Sequence, residues 1–303
     1  MKLVECVPNF SEGRRPEVLD EIVGKMTEVP GVRLLDKEMD ADHNRAVVTI
    51  VGEPEAVIEG AFRGVAKAAD LIDLTTHEGE HPRMGATDVV PFVPVKGVNM
   101  DDCVELARKL GERVGSELEI PVFLYEAAAT RPERQNLAKV RKGQFEALCE
   151  EIGDNPARDP DFGPCRIHPT AGATAIGARP FLVAYNINLG TDDVSIAKTI
   201  AKAIRHSGGG LRHVKAMGFE IKDRGIVQVS INMVNFKGTP LFRAFEMVKS
   251  EAERYGVPVI GSEIVGLVPA DALVDTAEFY LRLESFDRGQ VLENRLAEGE
   301  EDE

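Results

Sequence analysis

Apolar residues along this chain change period in one order, strand, helix, strand, strand, helix, strand, and that order occurs twice. Residues 2–7 read as a strand, and Pro16 opens a helix whose apolar positions Val18, Leu19, Ile22 and Met26 recur at helical spacing. Strands near 32–37 and 45–51 follow, then a helix from Pro54 with Val57, Ile58, Ala61, Phe62 and Val65 on one face, then a strand over 89–95. In the second half a strand over 181–187 precedes a helix marked by Ile196, Ala197, Ile200 and Ile204. Strands over 214–221 and 226–233 come next. Thr239-Pro240 opens a helix that buries Leu241, Phe245, Val248, Ala252 and Tyr255, and a strand over 257–264 closes the unit. A β-α-β-β-α-β unit folds as an antiparallel sheet with helices on one face. The expected fold class is therefore α+β, with two ferredoxin-like (βαββαβ) subdomains, helices outside and sheets facing a shared ligand channel.

Between the units, a helix from Met100 is capped by Asn99 and carries Cys103, Leu106, Leu110 and Val114, and a strand is expected over 121–125. A Gly/Pro-rich segment over 152–180 reads as the joint. The expected divisions are an N-terminal subdomain 1–178, a C-terminal subdomain 179–295 and a disordered acidic tail 296–303. The 226–233 strand alternates, with Val227, Val229, Ile231 and Met233 on one side and Gln228, Ser230 and Asn232 on the other. That polar row, with Asn186 and Asn188, must meet water, a ligand or the other unit.

A net charge of −15 argues against nucleic acid as a partner, because phosphate binding needs a basic face. No apolar run approaches membrane-spanning length, so no membrane partner is expected. Cys6, Cys103, Cys149 and Cys165 show no C-x-x-C spacing, and the chain opens without a signal segment. A cytoplasmic setting is the expectation. Arg131, Arg134, Lys139, Arg141 and Lys142 read as a solvated basic face or a lure for polyanions.

Chemistry concentrates in His77-Glu78-Gly79-Glu80-His81-Pro82-Arg83-Met84-Gly85-Ala86-Thr87-Asp88, which holds two of the six histidines. Residues 77–81 spell the H-E-x-x-H of zinc proteases, but that signature needs a helix. Gly79 sits inside it and Pro82 drives His81 toward extended backbone, so a loop without metal is expected. His81 among carboxylates can act as a general base near neutral pH, the bland alternative being a histidine satisfied by loop hydrogen bonds. His77 is expected to be of the bland kind. Arg83 could hold a carboxylate bidentately or staple the loop to Asp88. Asp40-Ala41-Asp42-His43-Asn44-Arg45 is first a turn, although its arginine could aim at a bound anion. The stretch Asp161 to Arg179 has phosphate-loop glycines without the lysine and hydroxyl pair, and suits a flat anionic ligand better than a nucleotide.

Val4-Glu5-Cys6-Val7-Pro8-Asn9-Phe10-Ser11-Glu12-Gly13, Asn44-Arg45, Gly79-Glu80-His81-Pro82-Arg83-Met84-Gly85-Ala86, Asp161-Phe162-Gly163-Pro164 and Gly266-Leu267-Val268-Pro269 together resemble the glutamate formimidoyltransferase family, in its stand-alone form without a cyclodeaminase domain. The resemblance implies transfer of a formimino group from N-formimino-L-glutamate to N5 of tetrahydrofolate in histidine degradation. It implies tetrahydrofolate as acceptor substrate; small-molecule partners, no metal and a homodimer are the accompanying expectations. It places the catalytic histidine on His81 and the folate loop on Gly163-Pro164-Cys165-Arg166-Ile167-His168-Pro169-Thr170-Ala171-Gly172. Because both substrates are carboxylates, Arg45, Arg83, Arg166 and Arg179 are the anion-holding candidates. Formyl transfer from 5-formyltetrahydrofolate to glutamate, and a non-catalytic metabolite-binding module, stay open as alternatives.

Overall fold

The computed structural model describes residues 2–299. The chain divides into two compact units, Met1–Pro180 and Phe181–Glu303.

In the first unit, β1 (Leu3–Cys6) and its short continuation β2 (Asn9–Phe10) are followed by α1 (Pro16–Thr27), β3 (Arg33–Asp40), β4 (Arg45–Gly52), α2 (Pro54–Leu71) and β5 (Thr87–Lys96). β1 and β2 lie between β4 and β5, antiparallel to both, with Glu5 opposite Val51 and Val93. β3 pairs antiparallel with the outer side of β4. This is the expected strand order of a βαββαβ unit. Prolines at the first turns of α1 and α2 cost no hydrogen bond there, since those N–H groups have no intrahelical partner. Val18, Leu19, Ile22 and Met26 pack with Val57, Ala61 and Val65 against Val4, Cys6, Val48 and Ile50. α3 (Met100–Glu117) starts with the anticipated cap: Asn99 Oδ1 accepts from Asp102 N and Asp102 Oδ2 from Asn99 N, each at 2.9 Å.

Beyond β5 the sheet continues. After β6 (Val122–Glu126), α4 (Leu137–Val140) and α5 (Gln144–Glu151), the chain enters β7 (Thr174–Ala178), which inserts between β5 and β6, parallel to both. The reading of 152–180 as a plain joint is corrected here, because its last part is a central strand. The strand was hidden because Thr-Ala-Ile-Gly-Ala is buried at every position, so no polar alternation marks it. Gly177 is required: a Cβ there would lie 2.5 Å from the Tyr125 carbonyl oxygen and 2.6 Å from its ring. This end of the sheet is covered on both faces. Val90, Leu124 and Ile176 join the main core, while Val89, Phe123, Tyr125 and Ala175 pack with Val140 and Leu148 on the other side.

The second unit runs β8 (Val183–Leu189), α6 (Val194–Ile204), β9 (Val214–Ile221), β10 (Ile226–Met233), α7 (Leu241–Glu253) and β11 (Val259–Val265), in the antiparallel sheet order β11-β8-β10-β9. Val227, Val229, Ile231 and Met233 face the core with Ile200, Ile204 and Val248. The polar row is bonded across three strands: Gln228 Nε2 donates to Asn188 Oδ1 (2.9 Å) and Glu263 Oε1 (3.0 Å), and Asn186 Nδ2 donates to Glu263 Oε1 (3.1 Å). α8 (Ala270–Leu281) and α9 (Leu292–Gly299) follow. The expected disordered tail is corrected over 296–299, which belong to α9, and 300–303 lie outside the described residues.

Candidate active site

The segment from His77 to Arg83 is a loop, as Gly79 and Pro82 require. It lies against the 40–45 turn so closely that a Cβ on Gly79 would sit 2.5 Å from the His43 carbonyl oxygen. Asn44 locks the two together from a left-handed backbone (φ 47°): its Nδ2 donates to the Glu78 carbonyl (2.9 Å) and its Oδ1 accepts from Gly13 N (2.9 Å). Asparagine tolerates that conformation better than most residues.

His77 and His81 meet different fates. His77 Nδ1 accepts from Arg83 Nε (3.2 Å), so its Nε2 carries the proton and donates to the Asn44 carbonyl (3.0 Å). Both nitrogens serve the loop. His81 Nε2 lies 3.0 Å from Arg45 Nη1, and since a guanidinium only donates, Nε2 holds the free lone pair of a neutral ring. Burial pushes His81 down to about 3, the charges of Arg45, Arg141 and His43 push the same way, and the Pro82 carbonyl opposes them. The His43 ring stands 6.5 Å from that of His81 and is held by Asp40 Oδ2 on its Nδ1 at 2.7 Å. Burial raises the Asp40 carboxyl, but hydrogen bonds from the His43 backbone and ring more than offset this and leave it lowered.

The four arginines singled out in the sequence are placed unlike one another. Arg45, at the start of β4, is the one on His81; burial lowers its basicity, Arg141 adds to that, and Asp40, Asp88 and Glu38 oppose it. Arg83 is not stapled to Asp88. Its guanidinium forks onto Glu146 (Nη1–Oε2 2.9 Å, Nη2–Oε1 2.7 Å) and also reaches Gln144 Oε1 (3.1 Å), tying the loop to α5. Arg166 pairs with Glu119 at the surface (2.7 Å). Arg179 Nη1 turns back on the Pro180 carbonyl (3.1 Å), and its charge opposes the burial that raises Glu5.

Asp88 is taken instead by Arg141. Met84 N also donates to Asp88 (2.9 Å), and burial raises the carboxyl in spite of these partners. The basic face read over 131–142 is thereby corrected at two of its five positions: Arg134 and Arg141 turn inward onto Asp161 and Asp88, because a buried cation is held only where a carboxylate meets it, while Lys139 and Lys142 are exposed. Arg141, whose charge acts on both Arg45 and His81, is a position that spacing alone could not single out, since it stands among five cations.

The loop Gly163–Gly172 is built from both ends. Gly163 (φ 84°) sits where a Cβ would meet the Ile120 carbonyl oxygen at 2.7 Å, and Gly172 (φ 70°) where one would meet that of Met84 at 2.5 Å. His168 and Gly172 exchange backbone hydrogen bonds (3.2 and 3.1 Å), and His168 Nδ1 accepts from Ala171 N (3.0 Å). Ala86 N donates to the Ala171 carbonyl and Ala173 N to that of Met84, each at 2.9 Å, so this loop is sewn to the segment just after His81. Gly163, Cys165, Arg166 and Pro169 are exposed, Pro164, Ile167, His168 and Thr170 are half-buried, and Ala171 and Gly172 are buried. A cavity of about 320 Å³ on the His77 side is lined by Ser11, Glu12, Arg14, Arg15, Asn44 and His77, among others. A cavity of about 400 Å³ in the second unit, between α7, α8 and β11, is lined mainly by apolar and aromatic side chains and holds no histidine or arginine.

The chain is thus an α+β protein of two βαββαβ-based units in which the His81 imidazole, carried by a loop, is set against the Arg45 guanidinium at the start of β4. Residues 3–179 match the formiminotransferase domain, N-terminal subdomain, and residues 184–295 match the formiminotransferase domain. The chain belongs to the formiminotransferase family. It is 56% identical over 296 residues to the glutamate formimidoyltransferase of Streptococcus pyogenes serotype M1, covering 97% of this chain and 99% of that one. It is 51% identical over 298 residues to the glutamate formimidoyltransferase of Thermoplasma acidophilum, covering 98% of each. Against the formimidoyltransferase-cyclodeaminase of Mus musculus the identity is 45% over 307 residues, 97% of this chain but 56% of that protein. Among the described residues no helix is long and apolar enough to cross a membrane.

Proposed function

We infer that this chain transfers the formimino group of N-formimino-L-glutamate to N5 of tetrahydrofolate, giving 5-formiminotetrahydrofolate and glutamate. What carries the reading is the neutral imidazole of His81, placed among cations in a chain that matches this family nearly end to end. Attack by N5 on the formimino carbon forms a C–N bond and a tetrahedral intermediate, and N5 then loses its proton to His81. The imidazolium returns that proton to the glutamate nitrogen as the old C–N bond breaks, so one residue serves both halves. Holding both substrates in register supplies much of the remaining acceleration. The loop Gly163–Gly172 is the proposed acceptor seat. Its exposed half can meet a flat ring while its buried half is anchored beside the His81 loop. Arg45 is favoured over Arg83 for the donor carboxylates, because the Arg83 guanidinium is already engaged by Glu146. Four free thiols suit a cytoplasmic enzyme.

The test is an assay of glutamate release that requires both tetrahydrofolate and N-formimino-L-glutamate. His81→Ala should lower kcat by about 10²–10⁴-fold with the fold retained. Unchanged turnover in that variant would remove His81 from the chemistry, and glutamate release without tetrahydrofolate would refute the transfer.

A further inference from the structure

The proposed base is capped in this structure. Arg45 Nη1 sits 3.0 Å from His81 Nε2, so the lone pair needed to take a proton is spent on a neighbouring donor. The rest of that guanidinium is poorly satisfied: one contact of 3.5 Å reaches Asn9 Oδ1, and its Nε is buried without a hydrogen-bond partner. Arg141 repeats the pattern, with one arm on Asp88 and a buried Nε lacking a partner. Its charge acts on both Arg45 and His81. Buried guanidinium N–H groups without acceptors are uncommon, and two of them, one on the arginine that contacts the imidazole and one on an arginine whose charge acts on both, suit a carboxylate, which can accept from two donors at once.

We propose that Arg45 caps His81 Nε2 until a ligand carboxylate takes over its guanidinium, with Arg141 as the second arm of that carboxylate seat. The proposal rests on the transferase reading, in that the carboxylate is the donor's. The seat makes the base available only when the group it must serve has arrived, so a donor lacking a carboxylate would leave His81 capped. A bound carboxylate also offsets the cations that face the imidazole, namely Arg45, Arg141 and, when protonated, His43. The charges that act on Arg45 itself are those of Arg141, which lowers its basicity, and of Asp40, Asp88 and Glu38, which raise it. The imidazole would then regain the basicity that its surroundings suppress.

The experiment is an NMR titration of the histidine ring nitrogens in the full chain, with glutamate as the probe. Without glutamate, His81 should titrate far below 6.5 with its proton on Nδ1, and saturating glutamate should move that titration upward. Arg45→Met should produce the upward movement with no ligand present. Arg141→Gln should leave the Arg45 contact in place and weaken glutamate binding about tenfold or more. Glutamate that shifts resonances around the site yet leaves the His81 titration where it was would overturn the proposal and spare the transferase reading. So would an Arg45→Met protein whose His81 titrates as in the wild type. If glutamate shifts nothing near the site, the carboxylate seat is overturned, while the transferase reading is decided separately by the assay of glutamate release. Should Arg45→Met not fold, the wild-type arm decides the question.

Discussion

Asp161 and Arg134 offer the sharpest quantitative test. The pair is almost sealed from water, with side-chain exposures of 8% and 4%, and Arg134 Nη1 donates to Asp161 Oδ2 at 2.6 Å. The same oxygen accepts from Leu124 N at 2.7 Å, and Oδ1 accepts from the Thr130 hydroxyl. Arg134 Nη2 reaches the Asp159 carbonyl at 2.5 Å, and its guanidinium lies 5.1 Å from the Phe123 ring centroid. Asp161→Ala would therefore strand a buried cation and a strand N–H together. Removing one partner of such a pair costs about 3–5 kcal/mol, most of it the uncompensated charge. At about 2–4 °C per kcal/mol for a unit of this size, the melting temperature should fall by about 6–20 °C. Scanning calorimetry of the whole chain would read it, following the transition of the first unit in case the two units melt apart. Arg134→Met combined with Asp161→Ala should cost less than the sum of the single changes, because no lone charge is left. A loss below about 1 kcal/mol for Asp161→Ala would refute the reasoning, since it would mean that water screens the pair. Because Asp161 begins the segment leading to Gly163, the variant should also raise KM for tetrahydrofolate more than for the donor.

The remaining expectations concern the His81 loop. Between pH 6.5 and 5 the unfolded chain protonates His81 while the folded one, with its pKa near 3, does not, so stability must fall as pH falls through that window; wild type should lose about 1.5 kcal/mol more than His81→Gln over it, and parallel denaturation curves for the two would contradict this. Gly79→Ala places a methyl 2.5 Å from the His43 carbonyl oxygen and should cost about 1–3 kcal/mol with more than tenfold loss of turnover, whereas an active and stable variant would show that the two loops are not pressed together. Glu146→Ala frees Arg83 but removes a surface carboxylate, so stability should change by less than about 1 kcal/mol while amide exchange quickens over residues 80–83. Unaltered exchange would argue that Arg83 does not hold the loop.

Much of the fold was legible because it obeys periodicity. The strands at Val214–Ile221 and Ile226–Met233 and the helices opened by Pro16 and Pro54 announce themselves through alternation, 3.6-residue spacing and start signals. β7 escaped because a strand buried on both faces, made of small residues, carries no alternation. The histidine loop was legible for a related reason: Gly79 and Pro82 forbid the helix that a zinc motif needs. Arg134 and Arg141 were not, because a cation looks the same in sequence whether it faces water or a buried carboxylate.

Residue order alone settles the alternation of strands and helices, the loop at His77–Arg83 and its candidate base, since these follow from local backbone preference and from which side chains avoid water. Only the folded chain decides which nitrogen of His81 keeps its lone pair and which arginine meets it. It also decides that Arg83 is spent on Glu146 and that Asp88 belongs to Arg141. The reason is distance: charge interactions and hydrogen bonds act over a few ångströms in space, and Arg45 and His81 stand 36 residues apart in sequence. No local pattern can encode such a meeting.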